Sequence, residues 1–502
     1  MIELKRREYI QYDGVELAAL VRAKEVSASE LVEASITQEK KVNGALNAVV
    51  HNRHDEALQE AKRVEGKSPL SGVPFLLKDI SQSLKGARIT SGSTLFKDYV
   101  APEEANYTKT LREAGFVFTG FTNTPEFALK NITEPRLHGP TRNPWCHSRS
   151  SGGSSGGAAT AVASGIVPIA GASDGGGSIR IPASFTGLVG LKPSRGKTPV
   201  GPSVGRNWQG AAIDFVLTRT VRDAAAALDI LQTVQPEAAF QTPLYEQGYL
   251  HTLRRAPTRQ LKFAYTMESP VGTPVSEAAK EAIRHVVRYI EQEGHIVEEV
   301  DWPFDGEELM RHYYAMNCGE MSHLFHNLER QMNHPLTLEH VEIESWMLAE
   351  AGKTITAREY VDSLHAWDTA ARNMSQLHET YTYFMTPTTA NTAPPVGELT
   401  HSPRKMAQLQ EEMLRATTNE ARQDAIYEMF LPSLTYTPFT QLANLTGQPA
   451  ISLPLASDDE GMPIGVQLMA LKGHDHLLLR AASYVEQSDL WKGFRNNPYF
   501  QQ

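Results

Sequence analysis

Two clusters of glycine and serine near the middle of the chain offer residue types that could do chemistry. The first runs over residues 150–157 and the second from Asp174 to Ser178. Glycine lets backbone N–H groups come close to a ligand, and it adopts dihedral angles that other residues avoid. A serine beside such glycines is either a nucleophile or a structural hydrogen-bonding group. The clusters therefore indicate either serine-based catalysis or ligand binding by the backbone.

Simpler interpretations of these clusters fit the sequence poorly. A flexible linker would not be followed directly by the apolar segment 179–182. A phosphate-binding loop needs a lysine after its last glycine, and neither cluster has one there. The G-x-S-x-G elbow of α/β-hydrolases is matched at Ser154 and Ser155, but residues 142–149 do not form the strand that must precede it. An S-x-x-K match that begins at Ser194 is broken by neighbouring proline and glycine.

The composition excludes several other classes of protein. The chain has 502 residues, of which 41% are hydrophobic and 21% charged, and its 36 glycines and 29 prolines are close to average usage. These values exclude a collagen, a disordered chain and a low-complexity scaffold. A net charge of −10 argues against a broad nucleic-acid-binding face.

The distribution of cysteine and of apolar residues predicts a cytoplasmic location. Cys146 and Cys318 are the two cysteines, too few for a disulfide framework, and they fit a reducing compartment. The charged start of the chain, residues 1–10, does not have the pattern of a signal peptide. No apolar run reaches the length of about 18 residues that a membrane span needs, so no membrane association is expected.

Patterns along the chain predict an α/β fold. Asp13 and the pair Ser27 and Glu30 are typical N-caps of two opening helices. Farther along, helix, glycine stop and short apolar run alternate, as is typical of a sheet with helices on its faces. The predicted elements are a helix at 108–114, strands at 116–121 and 262–266, a helix at 275–293 with Gly294 as its C-cap, a strand at 295–300, strands at 384–387 and 451–454, and a helix at 475–487.

One segment differs from the rest in composition. Residues 305–430 are rich in Glu, Met, His and Leu, and they are predicted to be mostly helical. We interpret the chain as a single domain over 1–502 that contains this helical insertion. Its expected parts are N-terminal helices at about 1–70, a core at 71–300, the insertion at about 305–430 and a return to the core at 431–502.

A composite motif spans the two glycine and serine clusters. It reads G-G-S-S-G-G, a helix-like segment of small residues, then D-x-G-G-S-[IV]-R-x-P. This motif resembles the signature of the amidase-signature family of serine hydrolases. The resemblance covers most of the chain and implies the fold of that family, an α/β fold with a large mixed central sheet flanked by helices on both faces. Further matching segments lie at 72–79, 122–127, 142–144, 187–193 and 447–454.

The resemblance implies a Ser-Ser-Lys catalytic set. Carried over to this sequence, the nucleophile is Ser178, the bridging serine is Ser154, which stands 24 residues earlier, and the base is Lys78. A serine hydroxyl needs such a base, and a buried lysine whose pKa is lowered toward neutrality can serve. The family holds the bridging serine after a cis peptide bond, where Gly153 would lessen steric conflict.

The resemblance also implies an oxyanion hole in the second cluster. Backbone N–H groups aimed at the oxygen of the attacked carbonyl stabilise its developing charge by about 3–4 kcal/mol each. Asp174 and Arg180 are expected to support this loop through charge-assisted hydrogen bonds, and Ser155 is expected to be a structural hydrogen-bonding group. The expected N–H donors are those of Gly175, Gly176, Gly177 and Ser178.

Within the family, the motifs are most similar to those of the 6-aminohexanoate-cyclic-dimer hydrolases. The shared stretches are 133–135, 141–145, 180–184 and 313–318. That subgroup places a pocket-lining cysteine at the position of Cys318, so this residue is expected either to line the substrate pocket or to be a buried structural cysteine. The resemblance implies an amidase that forms an acyl-enzyme on small linear or cyclic amides of the 6-aminohexanoate dimer type, with no cofactor and no metal.

Several alternatives stay open on the sequence. The chain could be a general aliphatic or aryl amidase, a carbamate hydrolase, or the glutaminase subunit of a tRNA-dependent amidotransferase. A non-catalytic binding protein on the same scaffold is a further alternative, which the joint presence of Lys78, Ser154 and Ser178 disfavours. The expected partner is a small-molecule amide substrate, without nucleic acid or membrane, and a homodimer is compatible with the sequence.

Overall fold

A computed structural model describes residues 6–253, 260–494 and 496–501. The sequence predicts no signal peptide over residues 1–10, and the first five of these lie outside the described residues. Eleven strands of the described residues form one sheet in the order β1-β3-β2-β4-β6-β5-β10-β11-β9-β7-β8. The strands are β1 (Val49–Asn52), β2 (Pro74–Lys78), β3 (Val117–Thr122), β4 (Ile169–Asp174), β5 (Val189–Lys192), β6 (Ile213–Thr218), β7 (Lys262–Tyr265), β8 (Ile296–Glu299), β9 (Tyr383–Pro387), β10 (Ala450–Ser457) and β11 (Pro463–Met469).

The sheet is mixed and is flanked by helices on both faces, as the sequence predicts. Strand β2 runs parallel to β3 and β4, whereas β6 runs antiparallel to β4 and β5. The helices are α1 (Arg6–Tyr9), α2 (Gly14–Arg22), α3 (Ala28–Leu46), α4 (His54–Ala61), α5 (Asn106–Glu113), α6 (Gly156–Ala163), α7 (Arg180–Thr186), α8 (Val221–Leu231), α9 (Tyr249–Thr252), α10 (Glu277–Gln292), α11 (Gly306–Met332), α12 (Ile343–Gly352), α13 (Ala357–Thr380), α14 (Pro403–Arg415), α15 (Asn419–Tyr436), α16 (Gln441–Thr446) and α17 (Asp475–Val485).

Local signals position the ends of several helices. The side chain of Asp13 caps α2, and Ser27 with Glu30 forms a complete capping box at α3, as predicted. At α10 the C-cap is Glu293, and the expected cap Gly294 follows it with a φ of 82°. A left-handed residue just after the last helical turn is the usual place for glycine.

The helix between the two glycine and serine clusters packs very closely on its neighbours. Every residue of α6 is buried, and all of them are small. A Cβ atom at Gly157 would lie 2.3 Å from the backbone nitrogen of Asn123 and 2.7 Å from the carbonyl oxygen of Ala48. Glycine inside a helix costs about 1 kcal/mol relative to alanine, and here it permits an approach that no larger residue could make.

The segment after residue 305 forms its own layer of packing. Helices α11, α12, α14 and α15 bury an apolar cluster that includes Met321, Trp346 and Ile426. The helical prediction for 305–430 is confirmed for most of its length, and the predicted strand at 384–387 is found as β9, which joins the central sheet. Among the helices of the described residues, none combines the length and apolar character needed to cross a membrane.

Candidate active site

The carboxyl end of two parallel strands positions the first candidate residues. Lys78 is the last residue of β2, and β4 ends in Ser173 and Asp174. Because β2 and β4 are parallel, their carboxyl ends meet at the same edge of the sheet. Strand β6 is antiparallel and starts at this edge, with Asp214 opposite Ser173. The topology therefore gathers an amine, a hydroxyl and two carboxylates within a small region.

The Lys78 side chain is fully buried at this edge. Its Nζ donates to Oγ of Ser154 at 2.7 Å and to Oγ of Ser173 at 2.8 Å. Burial lowers the pKa of Lys78 to about 7, against the opposing effect of the nearby Asp214 and Asp174 carboxylates. A substantial fraction of this lysine is therefore neutral near physiological pH, as a proton-accepting amine must be.

The first glycine and serine cluster forms the loop before α6. Its Gly153–Ser154 peptide bond is cis, and Ser154 is buried. A Cβ atom on Gly153 would lie 2.6 Å from the carbonyl oxygen of Ile132, so only glycine fits there. The hydroxyl of Ser155 bonds to both the carbonyl and the amide of Ser173, each at 3.2 Å, which ties this loop to β4. Ser155 thus occupies a structural position and Ser154 faces the lysine.

Ser178 lies in the second cluster, just before α7. Its backbone carbonyl accepts a hydrogen bond from the amide of Ser155 at 3.3 Å, which connects the two clusters. Ser178 is half-buried, and within the described residues no hydrogen bond engages its hydroxyl. Ser154, Ser173 and Ser178 line one cavity of about 380 Å³. The structure therefore places both predicted catalytic serines on one cavity, with Lys78 in contact with Ser154.

The backbone of the second cluster differs from the expectation at one residue. Gly175, Gly176 and Ser178 line the cavity, and no hydrogen bond among the described residues engages their N–H groups. The N–H of Gly177 instead donates to the carboxylate of Asp174 at 2.8 Å, so it is unavailable to a ligand. The structure thus leaves three of the four expected oxyanion-hole donors free, because the Asp174 carboxylate occupies the fourth.

Asp174 and Arg180 form a buried ion pair behind this loop. The guanidinium binds both carboxylate oxygens, each at 2.9 Å, and neither side chain is exposed. Burial would raise the pKa of Asp174, but Arg180 and the other hydrogen bonds lower it to about 2. The remaining guanidinium bonds go to the carbonyl of Thr440 and the side chains of Asn444 and Gln467, each at 2.7 Å.

Two neighbours of Lys78 were not among the residues singled out from the sequence. Ser173 is the second acceptor for the lysine, and Asp214 accepts hydrogen bonds from Ser81 and Gln82. Ser173 directly precedes the predicted Asp174, so its place at the end of a strand was a usable signal. Asp214 reaches the site only through the pairing of β6 with β4, which no local pattern encodes.

The rest of the cavity wall comes largely from helices and loops outside the signature motif. Helix α11 contributes Tyr313, Tyr314 and Asn317, and the Tyr313 hydroxyl donates to the carbonyl of Gly175 at 3.1 Å. The rest of this wall is largely apolar and aromatic, including Phe127, Trp208, Leu348, Phe430 and Leu434.

Cys318, which the sequence predicts either to line the pocket or to be structural, lies outside the cavity. It is fully buried, and its Sγ lies 3.9 Å from the side-chain nitrogen of Gln423 on α15. Cys318 lies one helical turn after the cavity-lining Tyr314, and it packs with Tyr314 in the buried apolar cluster of the helical segment without lining the cavity itself. Of the two expectations for this residue, the buried structural cysteine agrees with its position.

Comparisons with known proteins agree with the fold and with the motifs. The family model described as Amidase matches residues 30–479. A lipoamidase of Enterococcus faecalis is 40% identical over 482 residues, which cover 96% of this chain but 64% of that relative. A 6-aminohexanoate-cyclic-dimer hydrolase of Paenarthrobacter ureafaciens is 35% identical over 489 residues, which cover 95% of each chain.

A solved structure of a similar protein has the same architecture. The 6-aminohexanoate cyclic dimer hydrolase complexed with substrate superposes with a TM-score of 0.88 at 32% identity, covering 98% of this chain and 100% of that one. The matches in sequence extend through the core and the helical segment alike. With its mixed sheet, its signature loops and these relatives, the chain belongs to the Amidase family of amide-hydrolysing enzymes.

Proposed function

We propose that the chain hydrolyses amides through an acyl-enzyme, with Ser178 as nucleophile, Ser154 as proton relay and Lys78 as base. The observation that carries this proposal is the buried Lys78 amine, which bonds to Ser154 at 2.7 Å and has a pKa of about 7. An amine that is partly neutral at physiological pH can accept a proton, and a serine between it and the nucleophile can pass that proton on.

In the first step, Ser178 Oγ attacks the carbonyl carbon of the amide. Its proton passes to Ser154 Oγ while the proton of Ser154 passes to neutral Lys78 Nζ. The tetrahedral intermediate then collapses as the C–N bond breaks, and the same relay returns a proton to the leaving nitrogen. The products of this step are a neutral amine and an ester between the acyl group and Ser178.

In the second step, water takes the place of the amine. The relay removes a proton from the attacking water, and the ester bond to Ser178 breaks as the serine recovers its proton. The products are the free acid and the starting enzyme. In both steps, negative charge develops on the former carbonyl oxygen.

The backbone of the second cluster supports stabilisation of this charge. The N–H groups of Gly175, Gly176 and Ser178 border the cavity, and within the described residues they make no protein hydrogen bond. Donors that are already oriented cost no reorganisation when the charge forms, and removing one typically costs about 10²–10³-fold in kcat. We assign the oxyanion hole to these three groups rather than to all four of the cluster.

The cavity favours uncharged amides with an aliphatic acyl chain. Its one lining lysine or arginine within the described residues is Lys130, whose amine lies 3.2 Å from carboxylate oxygens of both Glu342 and Glu344. A substrate carboxylate would therefore lack a free cation to bind. The names of two relatives, 6-aminohexanoate-cyclic-dimer hydrolase and lipoamidase, both refer to amides of acids with an unbranched methylene chain.

We infer that small amides of this type are the substrates, with the 6-aminohexanoate cyclic dimer and lipoamide as the two candidates. The 6-aminohexanoate cyclic dimer is favoured because the match to its hydrolase covers 95% of both chains. Lipoamide is favoured because the identity to the lipoamidase is higher, at 40%. Because the chain spans only 64% of the lipoamidase, the activity of that longer protein does not transfer as a whole.

The chemistry is tested by labelling with a fluorophosphonate probe, which reacts with an activated serine. We expect the purified enzyme to be labelled stoichiometrically, the Ser178→Ala variant to be unlabelled, and its amidase activity to fall by about 10⁴-fold or more. The exposed Ser148 provides a matched control, and Ser148→Ala should be labelled like the wild type. Labelling that persists in folded Ser178→Ala would contradict the assignment of the nucleophile.

The substrate is tested by a panel of amides. Product is expected from the 6-aminohexanoate cyclic dimer or from lipoamide, at a higher kcat/KM than from simple alkyl or aryl amides. Turnover of the simple amides alone would refute the substrate class and leave the chemistry standing. Glutamine hydrolysis that depends on an added amidotransferase partner would instead support the glutaminase alternative.

A further inference from the structure

Asp214 is a carboxylate in the cavity wall to which the catalytic steps above give no role. It lies in β6 opposite Ser173 of β4, the residue whose hydroxyl accepts a hydrogen bond from Lys78. Side chains directly opposite one another in an antiparallel pair have Cβ atoms about 5 Å apart and lie on the same face of the sheet. Asp214 is therefore placed beside the acceptor that holds the lysine amine.

Gln82 connects this carboxylate to the strand that carries the lysine. The side-chain oxygen of Gln82 accepts from the backbone N–H of Lys78 at 2.8 Å, and its nitrogen donates to Asp214 Oδ1 at 3.1 Å. The same nitrogen donates to the carbonyl of Ala172 at 3.0 Å, and Gln82 is fully buried. The Ser81 hydroxyl adds a bond to Asp214 Oδ1 at 2.7 Å. These contacts fix the carboxylate relative to both β2 and β4.

The other ionisable groups around this position are accounted for. Asp174, the second carboxylate near Lys78, is paired with the Arg180 guanidinium on both oxygens. The Tyr107 hydroxyl, which also faces Asp214, donates to the carbonyl of Phe215 at 2.6 Å. Within the described residues, Asp214 forms no ion pair with an arginine or histidine. Burial raises the pKa of Asp214, while the Ser81 and Gln82 hydrogen bonds and the Lys78 amine favour its charged form, so that charge acts mainly on Lys78.

On these grounds we propose that Asp214 is a positioning residue that sets the proton affinity of Lys78 and, through Gln82, its placement beside Ser154 and Ser173. This inference rests on the proposed role of Lys78 as base. A carboxylate close to an amine favours the protonated form, whereas burial favours the neutral form. Burial lowers the pKa of Lys78, and Asp214, ahead of Asp174, opposes that shift. Asp214 thereby keeps the lysine basic enough to accept a proton.

The test is the pH dependence of the rate at which the fluorophosphonate probe labels Ser178, which needs no knowledge of the substrate. In the wild type, the rate should rise tenfold per pH unit below about pH 7 and level off above it, because neutral Lys78 is required. In Asp214→Asn, this rise should move to lower pH by about one unit. The plateau should also fall several-fold, because the lysine is a weaker base and is less well placed.

Three further variants keep the test decisive. Asp214→Glu restores the charge and should return the midpoint toward that of the wild type. Ser81→Ala removes one bond to the carboxylate and should shift the midpoint in the same direction as Asp214→Asn, but by less. Asp229→Asn, at a carboxylate that caps the backbone of Tyr249 and Leu250 away from the site, should leave the midpoint unchanged.

The outcomes separate this inference from the proposed function. A folded Asp214→Asn enzyme with a lower plateau and an unmoved midpoint would overturn the positioning role and reduce Asp214 to a structural residue. A wild-type profile without any rise near pH 7, or an unchanged profile in Lys78→Met, would overturn the proposed function instead. If Asp214→Asn fails to fold, the Ser81→Ala profile decides, and an unmoved midpoint there would overturn the inference.

Discussion

The signature core and the helical segment of residues 305–430 hold their cavity-facing side chains in different ways. In the core, buried hydrogen bonds and one ion pair fix the side chains of Lys78 and Asp174. In the helical segment, an apolar cluster around Met321 and Trp346 fixes the helices, and the cavity residues come from α11, α12 and α15. Directional bonds therefore position the groups proposed for the chemistry, whereas packing sets the shape of the cavity.

The largest expected effect is loss of the proposed base in the core. Lys78→Met keeps the length of the side chain and removes the amine, so kcat/KM should fall by about 10³-fold for every amide tested. Steady-state kinetics on several substrates measures this, with circular dichroism to verify folding. A loss confined to one substrate would contradict the contrast between the core and the helical segment, because it would assign Lys78 to substrate selection.

The second expected effect concerns stability. Asp174→Asn leaves the buried Arg180 without its counter-charge and should lower the free energy of unfolding by about 3–5 kcal/mol. The matched change in the helical segment is Asp424→Asn, at an exposed ion pair with Arg311, which should cost less than about 1 kcal/mol. Denaturant unfolding of both variants measures the contrast, and equal losses would contradict it.

The third expected effect distinguishes Gly175 from Gly177, two glycines of the same loop. Gly177 has a φ of 127°, and a Cβ there would lie 2.2 Å from the Thr440 hydroxyl oxygen. Gly177→Ala should therefore cost about 1–3 kcal/mol of stability and most of the activity. At Gly175 the nearest atom to a new Cβ is 3.4 Å away, so Gly175→Ala should retain both. Thermal unfolding and probe labelling of the pair measure this, and a damaged Gly175→Ala would show that the loop tolerates no side chain.

The fourth expected effect lies where the two regions touch. Tyr313→Phe removes the bond from α11 to the carbonyl of Gly175, which is worth about 0.5–1.5 kcal/mol. We expect kcat/KM to fall by about threefold to tenfold, and the free energy of unfolding to fall by no more than about 1.5 kcal/mol. A loss as large as that of Lys78→Met would contradict the contrast between the core and the helical segment, because it would place a residue of the helical segment in the catalytic machinery.

The smallest expected effect tests the position of Cys318 outside the cavity. Because its side chain lies outside the cavity and near Gln423, Cys318→Ala should leave kcat/KM within about twofold and lower stability by about 1 kcal/mol. Kinetics on the 6-aminohexanoate cyclic dimer and thermal unfolding measure the two quantities. A strong change in KM without a change in stability would return Cys318 to the pocket.

Local patterns predicted much of the fold, and longer-range contacts account for what they missed. Asp13, Ser27 and Glu30 cap their helices because a cap depends on neighbours within four residues. Asp214 joins the site through pairing across the sheet. The same distinction separates the expected oxyanion donors: the sequence places Gly177 in the loop, but only the fold shows its N–H bound to Asp174.

In the helical segment, helix content was predictable and orientation was not. The composition of 305–430 indicates helices, but which face of α11 meets the cavity depends on how α12 and α15 pack against it. A rotation of about 100° per residue separates a pocket-lining position from a buried one. Cys318 and its neighbour Asn317 illustrate this, because only Asn317 lines the cavity.

The Asp174 carboxylate has a consequence for how such an enzyme can diversify. One side chain neutralises Arg180, holds the N–H groups of Gly177 and Ile179 and accepts from Asn444, so a change there disturbs several functions together. Among the described residues, the cavity face of α11 makes fewer such bonds: Tyr313 donates to the carbonyl of Gly175, and Asn317 accepts from Trp208. Substitutions can therefore accumulate on that helix during evolution and alter the range of amides accepted, while the residues proposed for hydrolysis stay unchanged.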